Sequence, residues 1–127
     1  MTPTFLTLAE VLDLHEESIR RYGGTSGIRD LGLLQSALAQ PESTFGGQYL
    51  HPDFASMAAA CFFHIVQNHP FLDGNKRTGT AAARVFILMN GATFNPPNHE
   101  LEEVVLALAA GNVGKDDAIE FMRRHTK

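Results

Sequence analysis

The sequence predicts an all-α single domain, a bundle of about six helices with one short flap that is either a loop or a small hairpin. Apolar positions follow helical spacing along most of the chain, and no alternating run longer than residues 42–50 indicates a strand. The chain has 127 residues, of which 44% are hydrophobic and 19% charged. Residues 1–127 are therefore expected to form one domain with a buried core.

The first two helices are predicted from their end signals. Thr7 and Glu10 form a capping box, and the first helix ends at Gly23. Asp30 can cap a second, short amphipathic helix that runs to about Gln40, where Pro41 stops it. The apolar stripe of the first helix comprises Leu8, Val11, Leu12, His15 and Ile19.

A loop and a buried helix follow. Residues 42–50 mix turn formers with aromatic residues and show no helical stripe, which predicts the flap. Pro52 suits the first turn of a third helix that runs to about Asn68. Its apolar residues surround most of its circumference, so we expect it to be central and buried.

Three further helices complete the prediction. The fourth begins at about Asp73 or Gly74, is apolar nearly all round and ends near Asn90. Asn98 can cap a fifth helix, and a sixth begins at residues 116–117 and ends in basic residues that suit a helix C-terminus.

Composition limits the classes of partner. With 14 acidic and 10 basic residues, the chain lacks the overall positive charge of a nucleic-acid-binding domain. The single cysteine, Cys61, lies in an apolar run and is interpreted as a buried thiol in a reducing compartment. No apolar segment is long enough to span a membrane, and Glu10 and Asp13 occur where a signal peptide would be apolar. These features predict a cytoplasmic location.

A polar segment, residues 69–78, lies between two strongly apolar helices and is called the motif loop here. It reads His-Pro-Phe-Leu-Asp-Gly-Asn-Lys-Arg-Thr. Pro70 disfavours helical backbone at His69, so the third helix should end there. With Asp73 as N-cap, the N–H groups of residues 74–77 would have no partner inside the helix. A helix N-terminus of this kind predicts an anion site.

The side chains of the motif loop favour a di- or triphosphate. Gly74 permits close approach to the backbone, and Asn75 can donate a hydrogen bond. Lys76 and Arg77 add two positive charges, and the hydroxyl of Thr78 is counted with these phosphate-binding groups.

Two residues of the motif loop are candidates for catalysis. His69 can take a proton from a hydroxyl near neutral pH. Asp73 could alternatively hold Mg²⁺ that bridges phosphate oxygens. Each residue alone has a simpler structural explanation, but together they indicate transfer from a nucleotide.

Other polar residues in apolar segments have structural interpretations. Arg84 lies on the same face as Arg77 and could supply a further phosphate contact, although a stem that covers apolar surface and pairs with a carboxylate of another helix explains it better. A metal site that joins His64 to His69 and Asp73 would suit a hydrolase but lacks further ligands. His51 is interpreted as a cap or surface residue, and His15 as a core histidine with its hydrogen bonds satisfied.

The motif loop resembles the signature of the Fic/Doc superfamily and, within it, the Doc (death-on-curing) toxins of toxin–antitoxin systems. The resemblance extends to residues 27–34 and to the flap segment Phe45-Gly46-Gly47. It implies an all-α Fic fold with an ATP-phosphate site. It also implies that His69 is the motif histidine, Asp73 the acidic metal-associated residue and residues 74–77 the phosphate-binding group.

Two positions depart from the pattern of Fic enzymes that transfer AMP. Those enzymes carry glycine where this chain has Lys76, and arginine where it has Thr80. Doc-type proteins are described as kinases that phosphorylate a threonine of elongation factor Tu and stop growth. The resemblance therefore implies transfer of phosphate from ATP, with Mg²⁺, to a protein hydroxyl. AMP transfer by the same loop and a non-catalytic binding module remain as alternatives.

The resemblance also implies a partner. Doc-like toxins are held by a small antitoxin whose C-terminal segment folds as a helix into a groove on the toxin. A groove between helices would suit such a segment.

Overall fold

The computed structural model describes residues 2–127, which form six helices and one two-stranded hairpin. The helices are α1 (Leu8–Tyr22), α2 (Leu31–Ala39), α3 (Phe54–Asn68), α4 (Asn75–Met89), α5 (Asn98–Ala110) and α6 (Lys115–His125). The hairpin pairs β1 (Thr44–Phe45) with β2 (Gln48–Tyr49) in antiparallel register. The all-α class, the number of helices and the flap hairpin are confirmed. In residues 2–127, no helix combines the length and apolarity needed to cross a membrane.

Helix α3 is the centre of the bundle and packs against α2, α4, α5 and α6. Its residues 55–62 are all buried, as the apolar circumference predicts. Contact with α4 is close because Gly79 has no side chain. A methyl group at Gly79 would lie 2.7 Å from Cγ2 of Val66 and 3.4 Å from Cγ2 of Ile65. These two helices carry the two ends of the motif loop, so their packing fixes the loop in space.

The end signals of the first two helices act as predicted. The hydroxyl of Thr7 accepts from the N–H of Glu10 at 3.2 Å, and the Glu10 carboxylate accepts from the N–H of Thr7 at 2.9 Å. Asp30 caps α2 by accepting from the N–H of Leu33 at 3.0 Å. Pro41 ends α2 inside a single 3-10 turn, Gln40–Glu42.

Four helix starts differ from the predictions, and that of α4, at Asn75, is described with the site below. Helix α3 begins one residue after Asp53, whose carboxylate caps it by accepting from the N–H of Ser56 at 2.7 Å, so Pro52 precedes the helix. Helix α5 has Asn98 as its first residue and not as its cap. Helix α6 begins at Lys115, before the predicted residues 116–117. Each shift is of one or two residues, because several neighbouring residues are able to cap a helix.

Two histidines, His51 and His64, lie near Lys115, the first residue of α6. His51 is buried, which corrects the interpretation of it as a cap or surface residue, and His64 is half-buried. Nδ1 of His51 and Nε2 of His64 have no hydrogen-bond partner within residues 2–127. Burial, with the positive charge of Lys115 as the next cause, lowers the pKa of both imidazoles. Burial therefore favours the neutral form of both imidazoles.

Candidate functional site

His69 lies at the point where the chain leaves α3. It adopts left-handed backbone with φ 51° and ψ 58°, and no other non-glycine residue in 2–127 has positive φ. Pro70 follows, in keeping with the predicted end of the helix. The imidazole is exposed and makes no hydrogen bond within the part of the chain that the structure describes. A free imidazole at a chain reversal is available to a ligand.

The part of the motif loop that follows His69 packs against α1. Phe71 is buried and stacks on the imidazole of His15, with ring centroids 3.8 Å apart and planes 8° from parallel. Nε2 of His15 lies 2.8 Å from the carbonyl oxygen of Asp73. Because a carbonyl only accepts, Nε2 must carry the proton and donate. The interpretation of His15 as a satisfied core histidine is confirmed, and its partner is the motif loop.

Asp73 is not the N-cap of α4, which corrects the sequence prediction. The cap is Gly74 in left-handed backbone with φ 76°, and the helix begins at Asn75. The Asp73 carboxylate accepts from the N–H of Thr25 at 3.1 Å and from the N–H of Gly74 at 2.8 Å. These two hydrogen bonds, that from Thr25 first, hold the pKa of Asp73 below its usual value.

The approach of Asp73 to the loop after α1 depends on Gly24. A methyl group there would lie 2.7 Å from Oδ2 of Asp73, and the φ of Gly24 is +116°, which side chains rarely adopt. The N–H of Gly74 donates to the Asp73 carboxylate and is therefore not free to bind a ligand. Gly74 can contribute close backbone approach to an anion, but not a free N–H.

The side chain of Asn75 points into the protein and not into the predicted phosphate site. Its Oδ1 accepts from the N–H of Phe71 at 2.9 Å, and its Nδ2 donates to the carbonyl of Phe71 at 3.1 Å. The amide therefore closes the motif loop on itself. This corrects the prediction that the Asn75 side chain binds phosphate, and leaves its backbone N–H for that role.

Thr78 is also placed differently from the prediction. Its side chain is fully buried, and its hydroxyl has no hydrogen-bond partner within residues 2–127. Thr78 lies on the inner face of α4, four residues from Gly74, whose carbonyl accepts its N–H at 2.9 Å. The prediction that Thr78 binds phosphate is therefore wrong.

The remaining predicted groups converge on one cavity. The N–H groups of Asn75, Lys76 and Arg77 lie in the first turn of α4 and have no hydrogen-bond partner in residues 2–127. Lys76 is exposed and its ammonium makes no ion pair or hydrogen bond within the same residues. The Arg77 guanidinium donates to the carbonyl of Gly23 at 2.8 Å and lies 5.5 Å from the ring centroid of Tyr22.

The cavity has a volume of about 610 Å³. It brings together the predicted base, the predicted metal-associated carboxylate and the N-terminus of α4. Its lining residues are Tyr22, Gly23, Gly24, His69, Leu72, Asp73, Gly74, Asn75, Lys76 and Arg77. Unpaired N–H groups, two cations and an exposed imidazole at one opening are suited to an oligophosphate and a hydroxyl acceptor.

A second, larger depression of about 720 Å³ lies beside the cavity. It runs between α1, α4 and α5, is mostly apolar, and shares Tyr22, Lys76 and Arg77 with the cavity. We call it the lateral groove. Arg84 lines it, donates to the carbonyl of Phe94 at 3.0 Å and lies 5.2 Å from the Phe94 ring centroid. The structural interpretation of Arg84 is supported, although its partner is a carbonyl and not a carboxylate.

The structure does not support the metal site of the hydrolase alternative, because His64 lies away from His69 and Asp73. His64 does not line the cavity that His69 and Asp73 share, and lies instead near His51 and Lys115, the first residue of α6. Within residues 2–127, no group of three or more histidine, cysteine or acidic residues could hold a metal ion.

Several residues at the site were not predicted from the sequence as functional. Thr25 binds the Asp73 carboxylate, His15 supports the loop, and Arg29 donates to two carbonyls at the end of α3. Only Arg29 had a signal in the sequence, since it lies in residues 27–34, which share in the family resemblance; Thr25 and His15 lie outside that segment. Their partners lie about 40 to 60 residues away along the chain, beyond the reach of local patterns.

Comparison with known proteins identifies the family of the chain. The model of the Fic/DOC family matches residues 5–87, which include the motif loop and most of α4. The chain is 43% identical over 70 residues to "Toxin Doc" of Mycolicibacterium smegmatis, a match that covers 55% of this chain and 54% of that protein. It is 28% identical over 116 residues to "Protein kinase doc" of Escherichia phage P1, covering 91% of this chain and 90% of that protein. The family match spans more than half of the chain, and the chain belongs to the Fic/DOC family.

Proposed function

We propose that the chain is a Doc-type toxin that transfers the γ-phosphoryl group of ATP to a serine or threonine hydroxyl of a target protein. The observation that carries the proposal is the cavity in which His69 faces the first turn of α4 with its unpaired N–H groups and two cations. The phage P1 relative carries the name protein kinase, which supports phosphoryl transfer. Elongation factor Tu is the acceptor that the family resemblance implies.

The proposed reaction assigns each group one task. The acceptor oxygen forms a bond to the γ-phosphorus while the bond to the oxygen between the β- and γ-phosphorus breaks, and ADP leaves. His69 takes the proton of the acceptor hydroxyl. The N–H groups of residues 75–77, with Lys76 and Arg77, hold the phosphates and offset the charge of the transferring group.

Asp73 fits a role in holding Mg²⁺. Its carboxylate is exposed at the cavity, its pKa is lowered, and each oxygen uses one lone pair for an N–H and keeps another free. With one protein carboxylate, the ion would share its coordination with phosphate oxygens, as Mg²⁺ commonly does. Bound there, Mg²⁺ would offset the negative charge of the phosphates.

Lys76 supports phosphoryl transfer over AMP transfer. A glycine at this position, as in the AMP-transferring relatives, would let the diphosphate lie against the backbone. Lys76 occupies that space with an exposed ammonium that has no partner within residues 2–127. The triphosphate would then present its γ-phosphate to the acceptor.

Isotope transfer separates the candidate reactions. The purified chain is incubated with elongation factor Tu, or with a lysate, and ATP labelled at either the γ- or the α-phosphate. Protein label from the γ-position alone is expected. Label from the α-position alone would replace the proposal with AMP transfer, and His69→Ala should abolish either reaction.

A matched control distinguishes catalysis from binding. His99 is exposed in the first turn of α5, away from the cavity, so His99→Ala should leave transfer and growth inhibition unchanged. If His69→Ala folds and still inhibits growth like the wild type, the chain acts as a binding module and not as an enzyme.

We also propose that the lateral groove receives the helical segment of an antitoxin. The groove lies between three helices, is mostly apolar and includes charged residues of both signs in its lining. These features suit an amphipathic helix. An occupant would also contact Lys76 and Arg77, which the groove shares with the phosphate cavity.

Two leucines of equal exposure test the groove. Leu106 lines it and Leu88 does not, and the side chains are both 52% exposed. Leu106→Arg should weaken binding of the antitoxin encoded beside this chain by at least roughly tenfold, whereas Leu88→Arg should not. Equal effects of the two substitutions on calorimetric affinity would exclude the groove as the binding site.

A further inference from the structure

We propose that Arg29 is a positioning residue that holds the backbone of His69 and thereby aims its imidazole into the cavity. The inference rests on the proposed role of His69 as the base. Arg29 belongs to the segment of residues 27–34 that shares in the family resemblance but contributes nothing to the phosphate cavity. The proposal assigns that segment a task.

The Arg29 guanidinium binds the end of α3 at two points. Its Nε donates to the carbonyl of His69 and its Nη2 donates to the carbonyl of Asn68, both at 2.6 Å. The last carbonyls of a helix have no partner within the helix and carry its negative dipole end. A forked cation satisfies two of them at once, which a single ammonium cannot do with the same geometry.

The Arg29 side chain binds the chain at a residue with a strained backbone, His69. The left-handed conformation of His69 is unfavourable for a residue with a side chain, and such conformations persist only when their surroundings impose them. The His69 imidazole has no hydrogen bond within residues 2–127 to set its direction. Its orientation must therefore follow from the backbone, and Arg29 binds the carbonyl of that same residue.

The backbone around Arg29 is itself tied to the motif loop. The N–H groups of Arg29 and Asp30 both donate to the carbonyl of Pro70, at 2.7 Å and 2.9 Å. Beyond them, the N–H of Leu72 donates to the carbonyl of Gly27 at 3.1 Å. Arg29 thus binds three consecutive carbonyls, those of Asn68 and His69 through its side chain and that of Pro70 through its backbone N–H.

The phosphate-binding half of the loop is held separately. Asn75 closes it through Phe71, and Asp73 is held by Thr25 and His15. Loss of the Arg29 side chain should therefore disturb the base and leave the nucleotide site in place. Because Arg29 is exposed, water can replace it at the two carbonyls, and the variant is expected to fold.

The test combines kinetics with a spectrum of His69. Arg29→Ala should lower kcat for phosphoryl transfer by on the order of 10²-fold, because small misplacements of a reacting group have effects of that size. The KM for ATP should change less than about threefold, and millimolar methylguanidinium should restore part of kcat. Arg124→Ala removes an exposed arginine on α6 and should leave both constants unchanged.

Nuclear magnetic resonance supplies a readout that does not need activity. The chain has six histidines, and the imidazole signals of protein with ¹³C-labelled histidine can be assigned by substituting His69. Arg29→Ala should shift or split the His69 signal and spare that of His99. An unchanged His69 signal and kcat, with only a lower melting temperature, would overturn the proposal and leave Arg29 as a cap.

Arg29→Lys serves if Arg29→Ala does not fold. It keeps the charge but cannot donate from a fork, so an intermediate kcat and a shifted His69 signal are expected, and wild-type values of both would overturn the proposal. If the wild-type chain transfers no phosphoryl group, the proposed function fails. The His69 signal then still decides whether Arg29 positions the imidazole.

Discussion

Removal of the Asn75 side chain tests whether this amide supports the loop or binds phosphate. Asn75→Ala deletes the acceptor for the N–H of Phe71, 2.9 Å away, and the donor to its carbonyl, 3.1 Å away. Asn75 and Phe71 are both buried, so the two backbone groups would be left without partners. Each such group costs about 1–3 kcal/mol.

The expected loss follows from these two groups. Some water entry and the better helix propensity of alanine would offset part of the cost, so the free energy of unfolding should fall by about 2–4 kcal/mol. For a domain of this size, that corresponds to a drop in Tm of roughly 10 °C. Asn75→Asp keeps the acceptor but turns a second, negatively charged oxygen toward the carbonyl of Phe71, so at neutral pH it should be no more stable than Asn75→Ala.

Urea denaturation followed by circular dichroism measures the effect. Asn112 is exposed and its side chain has no hydrogen bond within residues 2–127, so Asn112→Ala is the matched control and should lie within about 0.5 kcal/mol of the wild type. The reasoning is refuted if Asn75→Ala is as stable as the control while its KM for ATP rises. That pattern would assign the amide to phosphate.

Three further predictions concern the rest of the bundle. Gly79→Ala should lower the free energy of unfolding by about 1–3 kcal/mol, because the added methyl group overpacks against Val66. Val66→Ala in the same chain should recover part of this loss. If urea denaturation shows that the losses of the two single variants simply add in the double variant, the prediction is wrong. Burial raises the pKa of the Cys61 thiol to about 12, so a thiol-specific reagent should modify it only at the rate of unfolding, and fast modification of the native protein would show an open core. The pKa values of His51 and His64 are lowered in the folded state, so the unfolded chain binds protons at these positions more readily than the folded chain. The full free energy of unfolding is therefore present above the ordinary histidine pKa of about 6.5, and part of it is lost as the pH falls from that value toward the lower folded-state values. The free energy of unfolding should therefore decline as the pH is lowered from 7 through about 6.5, and a variant with glutamine at both positions should show a smaller decline.

The sequence by itself determined the helices of this protein. Helical spacing, capping residues and the turn at residues 42–50 predicted six helices and the flap to within a few residues. These signals suffice because helix ends and turns depend on residues close together in the chain. The sequence also located the motif loop and its positive N-terminal turn, since a run of polar residues between two buried helices is itself a local pattern.

Only the tertiary structure decided which way each side chain of the loop points. Asn75 turns inward to Phe71, Thr78 is buried against the core, and Asp73 binds Thr25, 48 residues away, and does not cap α4. Arg29 reaches the carbonyl of a residue 40 positions along the chain. Such partners are set by the packing of α3 against α4 and of the loop against α1. A polar residue at a helix start has the same local signature whether its side chain faces solvent or the interior, so the spacing in the sequence could not distinguish the two.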